Sequence, residues 1–187
     1  DLTFAHGDAT SGGIFTLGML MSGVDPDDMG ERWRTLNVRD FGAHGDGSTD
    51  DTGALQSAID AVREHGGSVH LPPGVYVTRK LTLYSRVHLR GAGGDATTLK
   101  LADGANSAII ESADFARFTG SRSIGGITLF SIRDLTLDGN KEHNKRGGYG
   151  LRLFGYGYEL TEVIAFNCRN DGVYSEWGPG VSLPLPS

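Results

Sequence analysis

The amino-acid sequence predicts a mainly β protein, built as a parallel solenoid of short strands with one α-helix near its start. Three observations predict this fold: short apolar runs that alternate with polar residues, a high glycine content, and only one segment with a helical period. The chain has 187 residues, of which 29 are glycine. This is about twice the usual share of roughly 7%. No Gly-X-Y period is present, so a collagen-like fold is excluded.

The helix is predicted at about residues 50–65. Its apolar residues recur at intervals of three and four and form one stripe, Ala54, Leu55, Ala58, Ile59 and Val62. Asp50 and Asp51 precede the stripe, where carboxylates accept the free N–H groups of a first helical turn. Gly66 and Gly67 follow it, as expected for a left-handed C-cap.

After the helix the apolar period changes to two, which is typical of strands. The predicted strands are the runs 68–71, 75–77, 81–83, 87–89, 99–101, 109–110, 127–129, 135–137, 151–153, 163–164 and 173–174. Glycine, asparagine and aspartate separate them, and these residues tolerate the left-handed conformation that corners require.

Two weak internal repeats indicate stacked coils. The segment 150–155, GLRLFG, resembles 172–178, GVYSEWG, at an offset of 22 to 23 residues. The segment 135–140, LTLDGN, resembles 163–167, VIAFN, at an offset of 28. Periods in the range of roughly 20–50 residues are typical of repeat architectures. Short strands at such a period, with little helix between them, favour a parallel β-solenoid.

Charge and composition exclude several functional classes. The chain carries 17 basic and 23 acidic residues, a net charge of −6, without a Lys/Arg block, so nucleic acid is not expected as a partner. No apolar run approaches the ~20 residues of a membrane span. The lone Cys168 excludes an intrachain disulfide framework. No secretory signal is visible, and the chain starts at Asp1, which indicates a processed chain or a piece of a longer one.

Residues 1–35 differ from the rest of the chain. They contain all three methionines and the acidic turn 25–28. This stretch is too short to bury a core of its own. We predict an arm or attachment segment that docks on another chain or on the main domain, with a poorly ordered lead-in as the alternative.

Four motifs carry a resemblance to a known superfamily. They are the segment 36–52, LNVRDFGAHGDGSTDDT, and the segments 71–76, LPPGVY, 89–93, LRGAG, and 135–140, LTLDGN. Together they resemble the N-terminal portion of the pectate-lyase-like right-handed parallel β-helix superfamily. That superfamily includes polygalacturonase-related proteins, mannuronan epimerases and phage tail spikes. The resemblance covers about residues 36–178. It implies a short capped β-helix domain over 36–187, which is either truncated as a fragment or closed early.

In this fold the helix covers the open end of the solenoid, because an uncovered first coil would expose unpaired backbone groups. Asp46, Asp50 and Asp51 are then expected to be structural capping residues, with Asp46 bonded to its own loop. A metal-binding role for these three carboxylates is the alternative.

The superfamily's enzymes act on acidic polysaccharides with groups that sit on neighbouring coils. At coil spacing the sequence offers Tyr149 and Arg152 on one coil, and Asp171, Tyr174 and Glu176 on the next. The catalytic candidates are Asp171, Glu176, Tyr174 and Arg152, and the substrate-binding candidates are Tyr149, Arg152, Tyr174 and Trp177. His143 lies in the loop before them. The alternative is that Asp171 turns a corner and that Tyr174 and Trp177 pack against coils.

The chain departs from the catalytic motifs of the superfamily. The epimerase string Tyr-Gly-x-Asp-Pro-His falls at about 171–176, where neither its Asp nor its His is matched. The paired aspartates and the Gly-His-Gly motif of polygalacturonases are absent as well. Whether the chain is an enzyme therefore stays open at this point.

The sequence predicts a component of a phage tail spike or tail fibre. It would be a homotrimer located in the virion, with the arm docked on another virion protein and the β-helix bound to a cell-surface polysaccharide. The alternative is an extracellular polysaccharide lyase, hydrolase or C5-epimerase, seen as its N-terminal fragment. No cofactor is expected, except Ca²⁺ if the protein is a lyase.

Overall fold

A computed structural model describes residues 34–113, 115 and 126–176. The described strands and helix are β1 (Thr35–Asn37), β2 (Asp46–Asp50), α1 (Thr52–Val62), β3 (Gly67–His70), β4 (Gly74–Thr78), β5 (Leu81–Leu83), β6 (Val87–Arg90), β7 (Thr97–Leu101), β8 (Ile110–Ser112), β9 (Ile127–Thr128), β10 (Ser131–Asp138), β11 (Leu151–Tyr156), β12 (Glu159–Phe166) and β13 (Val173–Glu176). A short 3-10 turn, Val38–Phe41, separates β1 from β2.

All strand pairs in the described part of the chain are parallel, and they stack as a right-handed β-helix, as predicted. The first sheet contains β1, β3 and β6 with the first halves of β10 and β12. The second contains β2, β4 and β7 with the second halves of β10 and β12. The third contains β5, β8, β11 and β13, with β9 beside β11.

Two long strands run from the first sheet into the second. β10 bends at Asp134 (φ 58°) and β12 bends at Glu162 (φ 51°). Both residues adopt the left-handed conformation, which is uncommon for residues other than glycine. The two bends stack because β10 and β12 pair in register on both sides of them.

Both repeats predicted from the sequence are in-register strand pairs. Leu151 lies opposite Val173, and Leu135 lies opposite Val163. The described chain contains four stacked coils after α1, over residues 67–83, 87–112, 127–154 and 159–176. Only the last two coils were recognised as a repeat from the sequence.

Period-two alternation places one set of side chains inside the solenoid and the other outside. Inside, like residues stack from coil to coil. The three main stacks are Val69, Leu89, Ile132 and Leu160 in the first sheet, Tyr76, Leu99, Leu137 and Ala165 in the second, and Leu81, Ile110, Leu151 and Val173 in the third. The members in the first three coils are buried, so the core is continuous along the axis.

The helix α1 covers the first coil. It is shorter than the predicted span 50–65, but its buried residues are those of the predicted stripe, Leu55, Ala58, Ile59 and Val62, with Ala54 partly buried. The Gln56 side chain accepts from the backbone N–H of Thr82 at 2.8 Å and donates to its carbonyl at 3.2 Å. This amide therefore pairs the exposed edge of β5 as a further strand would.

The helix ends in a left-handed turn. Gly66 has φ 83° and donates its N–H to the carbonyl of Val62 at 2.8 Å. A Cβ at Gly66 would lie 2.9 Å from Cβ of Arg86 on the next coil. The same corner is left-handed in each following coil, at Arg86, Leu129 and Gly157. Glycine content is thus explained in part by corners that stack along the axis.

The three N-terminal carboxylates each bind nearby groups, but not all as expected. Asp46 accepts the N–H groups of Ser48 and Thr49 at 2.8 Å, and these bonds hold its pKa well below the usual range. Asp50 accepts the N–H of Thr52 at 3.0 Å. Asp51 stands at the N-cap, but its side chain does not bond the first helical turn.

The buried Asp51 carboxylate instead accepts the N–H groups of His44 and Gly45, at 2.7 and 3.0 Å. It therefore holds the loop before β2 against the helix start. Within the described residues no group of three His, Cys, Asp or Glu side chains is arranged to hold a metal ion.

The predicted arm, apart from residues 34 and 35, lies outside the described residues, and so does Trp177. Among the described residues, no helix has the length and apolar character needed to cross a membrane.

Candidate functional site

The outer face of the third sheet collects most of the predicted site residues. Thr82, Glu111, Arg152 and Tyr174 occupy in-register positions on β5, β8, β11 and β13. Their neighbours on each strand point into the core, so these four point outward. We call this surface, with Lys80, Phe115, Tyr149 and Glu176 around it, the third-sheet face.

Arg152 is the centre of the third-sheet face. Its Nη1 donates to Oε2 of Glu111 at 2.8 Å. Its guanidinium carbon lies 4.2 Å from the ring centroid of Phe115 and 5.2 Å from that of Tyr149. Both distances are typical of cation–π contacts. Its Nε is buried and has no hydrogen-bond partner among the described residues.

Glu111 joins two cations. Its side chain is only 13% exposed, and its Oε1 accepts from Nζ of Lys80 at 3.0 Å while Oε2 accepts from Arg152. A carboxylate that is this well covered needs such partners, because burial of an unpaired charge is costly. Glu111 therefore fixes the orientation of Arg152 between the aromatic rings.

Two aromatic rings contact the guanidinium, and the ring of Tyr174 packs against both of them. The rings of Tyr149 and Tyr174 have centroids 5.8 Å apart at 57°, and those of Phe115 and Tyr174 lie 6.1 Å apart at 59°. Tilted pairs at these distances are favourable arrangements of aromatic quadrupoles. Phe115 is buried beneath this face, whereas the rings of Tyr149 and Tyr174 are partly exposed and form a platform on the surface of the solenoid.

The Tyr174 hydroxyl donates to the carboxylate of Glu176, two residues further along β13. This hydrogen bond, together with burial, raises the pKa of the Tyr174 phenol above its ordinary 10.0. Tyr174 is therefore a neutral donor at physiological pH.

The structure brings together four of the predicted residues, Tyr149, Arg152, Tyr174 and Glu176. It does not bring Asp171 to them. Asp171 is exposed in the turn before β13, and its side chain makes no hydrogen bond or ion pair within the described part of the chain. His143 lies in a loop, where its Nδ1 is 2.9 Å from Oδ1 of Asn140 and 3.9 Å from Oδ1 of Asp103.

Sequence reasoning missed Glu111, Lys80 and Phe115. Glu111 lies opposite Arg152 across adjacent coils, although they are 41 residues apart in sequence. That separation differs from the predicted offsets of 22 and 28, because the coil between them contains extra residues. A signal was present in the run Ile110-Glu111-Ser112, where a carboxylate alternates with buried positions.

Comparisons with known proteins place the chain in a family. The family described as rhamnogalacturonase A/epimerase, pectate lyase-like, matches residues 35–172. The chain belongs to this family. Both the predicted resemblance and the predicted fold are therefore confirmed.

Curated relatives fall into two groups. Mannuronan C5-epimerase AlgE6 of Azotobacter vinelandii is 44% identical over 116 residues, which are 56% of this chain and 12% of the epimerase. Alginate lyase 7 of the same bacterium is 40% identical over 121 residues, 58% of this chain and 13% of the lyase. The preneck appendage protein of Bacillus phage PZA is 29% identical over 173 residues, 81% of this chain and 19% of the phage protein. The chain thus spans between an eighth and a fifth of the length of these relatives.

Solved structures fall into the same two groups. ORF18 of Geobacillus virus E2 superposes with a TM-score of 0.63 at 29% identity, covering 75% of this chain and 27% of that one. The A-module of mannuronan C-5 epimerase AlgE4 of Azotobacter vinelandii has a TM-score of 0.54 at 28% identity, covering 75% and 48%. Relatives of this chain therefore include phage proteins as well as polysaccharide-modifying enzymes.

Proposed function

We propose that the chain is the β-helix module of a phage tail spike or tail appendage, and that its third-sheet face binds a host-surface polysaccharide. The observation that carries the proposal is the packing of Arg152 between Phe115 and Tyr149, with Tyr174 beside them. The appendage relative also supports it, since that match extends over 81% of this chain, against 56% for the epimerase AlgE6.

The third-sheet face has the chemistry that sugars require. Aromatic faces stack on the apolar faces of sugar rings, and charged donors and acceptors bond their hydroxyls. Arg152 and Tyr174 lie opposite each other on adjacent coils, which are about 4.8 Å apart. A glycan lying along the solenoid axis would therefore meet polar and aromatic groups on successive coils.

The proposal includes the assembly of the protein. In it the chain is a homotrimer in the virion, and residues 1–35 attach it to another virion protein. No cofactor is needed for glycan binding. Light scattering coupled to size-exclusion chromatography tests the assembly: a trimer is expected, and a monomer at all concentrations would contradict it.

A binding experiment tests the glycan site. Host-surface polysaccharides and defined oligosaccharides are titrated into the chain by calorimetry. The double change Tyr149→Ala and Tyr174→Ala is expected to weaken binding at least about tenfold, because stacking on each ring is lost. The matched control is Tyr156→Ala on β11, a tyrosine that is 56% exposed and lies outside the cluster. Equal losses in the two variants would contradict the proposal.

A second candidate function is a polysaccharide lyase, hydrolase or C5-epimerase. The hydrogen-bonded pair of Tyr174 and Glu176 supports it, as does the 44% identity to an epimerase. Incubation with alginate, pectate and capsular polysaccharides tests it, with detection of unsaturated ends, reducing ends and changed C5 configuration. Turnover that disappears in Glu176→Gln but persists in Glu162→Gln, an exposed acid at the β12 bend, would establish the enzyme and replace the binding proposal. A lyase would also be tested for dependence on Ca²⁺.

A further inference from the structure

The outer face of the first sheet is polar along its whole described length. One column of in-register side chains consists of Ser68, His88, Ser131 and Glu159, and the column beside it consists of His70, Arg90, Arg133 and Thr161. We call this surface the first-sheet face. It lies on a different side of each coil from the third-sheet face.

Two adjoining grooves run over the first-sheet face. One has a volume of about 600 Å³ and is lined by side chains that include His65, Arg86, His88, Tyr158 and Glu159. The other has a volume of about 610 Å³ and is lined by residues that include His70, Arg90 and Asp134. Both contain Ser68, so they form one surface that crosses the stacked coils.

The two arginines of the first-sheet face lie in an electrostatically unfavourable arrangement. Arg90 and Arg133 lie directly opposite each other on adjacent coils, about 4.8 Å apart. Like charges directly opposite each other destabilise a sheet. The outer face of the second sheet shows that the fold does not require them, because its equivalent column is Val75, Thr98, Thr136 and Ile164.

Neighbouring acids neutralise this column only in part. Arg90 uses Nε to reach Asp134 Oδ2 at 3.2 Å, and Arg133 uses Nη2 to reach Glu159 Oε1 at 3.2 Å. The Nε of Arg133 is buried and has no hydrogen-bond partner among the described residues. Each guanidinium therefore keeps donors that its acid does not use. The side chain of Arg90 is 65% exposed, so its remaining donors are open to a ligand.

We propose that the first-sheet face is a second binding site, which holds an acidic polysaccharide segment through its carboxylates. Arg90 and Arg133 would bind the carboxylates as paired donors, and Ser68, His88 and Ser131 would bind hydroxyls. A chain of acidic sugars carries successive negative charges, and Arg90 and Arg133 present two cations on adjacent coils. This site is independent of the third-sheet face, and two sites on one solenoid would raise the overall avidity for a long glycan.

The test uses the full chain with oligomannuronate as the acidic probe and maltohexaose as the neutral one, both measured by calorimetry. Arg90→Gln is expected to weaken oligomannuronate binding about tenfold, the usual loss for one charge-assisted contact. Its matched control is Lys100→Gln, a cation of the same coil on the outer face of the second sheet, which is expected to leave binding unchanged. Binding is also expected to weaken with added salt.

A second variant distinguishes a loss of binding from a loss of folding. Thr161→Glu adds a negative charge beside Arg133 without removing a core side chain. It is expected to weaken the binding of oligomannuronate as well. The variant Tyr149→Ala/Tyr174→Ala should retain binding at the first-sheet face. If instead that variant alone abolished binding of oligomannuronate, the third-sheet face would be the acidic site and the second-site inference would be wrong.

Three other results would overturn the inference. Equal affinities for oligomannuronate and maltohexaose would show that the first-sheet face does not recognise negative charge. Equal affinities in Arg90→Gln and Lys100→Gln would show that the arginine column does not bind the probe. Conversion of an oligomer to monomer by Arg90→Gln would assign this face to contacts between copies of the chain.

Discussion

The third-sheet and first-sheet faces follow the same construction rule but differ in how they treat charge. Each presents in-register side chains from successive coils. On the third-sheet face Arg152 is enclosed by aromatic rings and bonded to Glu111, whose side chain is 13% exposed. On the first-sheet face Arg133 is bonded to Glu159, whose side chain is 62% exposed.

This difference separates a fixed site from a solvated one. Partly buried ion pairs are screened little by salt and are costly to break, whereas exposed pairs contribute little to stability. We therefore expect the third-sheet face to be rigid before a glycan binds. The first-sheet face should owe its affinity to charge that water and salt screen.

The largest effect is expected when the carboxylate of the less exposed ion pair is removed. Glu111→Gln leaves Lys80 and Arg152 without their shared acid, and we expect the free energy of unfolding to fall by about 2 kcal/mol. Glu159→Gln removes an exposed partner of Arg133 and should leave the unfolding midpoint unchanged. Urea unfolding followed by circular dichroism measures both. Equal losses in the two variants would show that the two ion pairs contribute equally to stability and would contradict the difference between the faces.

The sequence predicted residues of the third-sheet face but not the column of the first-sheet face. Tyr149, Arg152, Tyr174 and Glu176 were found because the segments of β11 and β13 resemble each other in sequence, and they are paired in register. The first-sheet column was missed because its members are separated by unequal stretches, from Ser68 to His88 and from His88 to Ser131. In a solenoid, the loops absorb insertions while the strands keep their register, so constant offsets fail as a guide.

The prediction from local sequence also failed at the start of the helix. Asp50 and Asp51 both stand where a helix-capping carboxylate is expected, but only Asp50 bonds an N–H of the first turn. Asp51 is drawn to His44 and Gly45, whose N–H groups are otherwise left without partners when the loop packs on α1. Tertiary contacts decided between two acceptors that are equivalent in the sequence.

The next effect concerns the titration of Tyr174. Its hydrogen bond to Glu176 raises its pKa above 10.0, so the folded state holds the phenol proton more tightly than the unfolded state does. The stabilisation is present below pH 10 and is lost as the pH rises through the folded-state pKa. We expect Tyr174 to ionise above pH 10 in a tyrosine-labelled NMR titration, and Glu176→Gln to lower its pKa. A Tyr174 pKa that is unchanged in Glu176→Gln would show that the bond does not form.

A smaller effect is expected at His88 on the first-sheet face. Burial and the nearby charge of Arg133 lower the His88 pKa from 6.5, against the opposing influence of Glu159, while its Nδ1 lies 2.9 Å from Oγ of Ser131. The unfolded state therefore binds the proton more tightly, so stability should decrease as the pH falls through 6.5. Urea midpoints between pH 5 and 8 measure this decrease, which His88→Gln should reduce. Identical pH profiles of the two proteins would contradict the assignment.

The smallest effect isolates the solvated character of the first-sheet face. The Thr161 hydroxyl donates to Oε1 of Glu159 at 2.6 Å, and this bond, more than the charge of Arg133, lowers the pKa of Glu159. Thr161→Val removes the donor while keeping the shape of the side chain, so the Glu159 pKa should rise towards its ordinary 4.5. NMR titration of the Glu159 side chain measures the change, and the unfolding midpoint at neutral pH should stay the same because the group is exposed. A large loss of stability in this variant would mean that the first-sheet face is held as tightly as the cluster around Arg152, and the two faces would then differ only in composition.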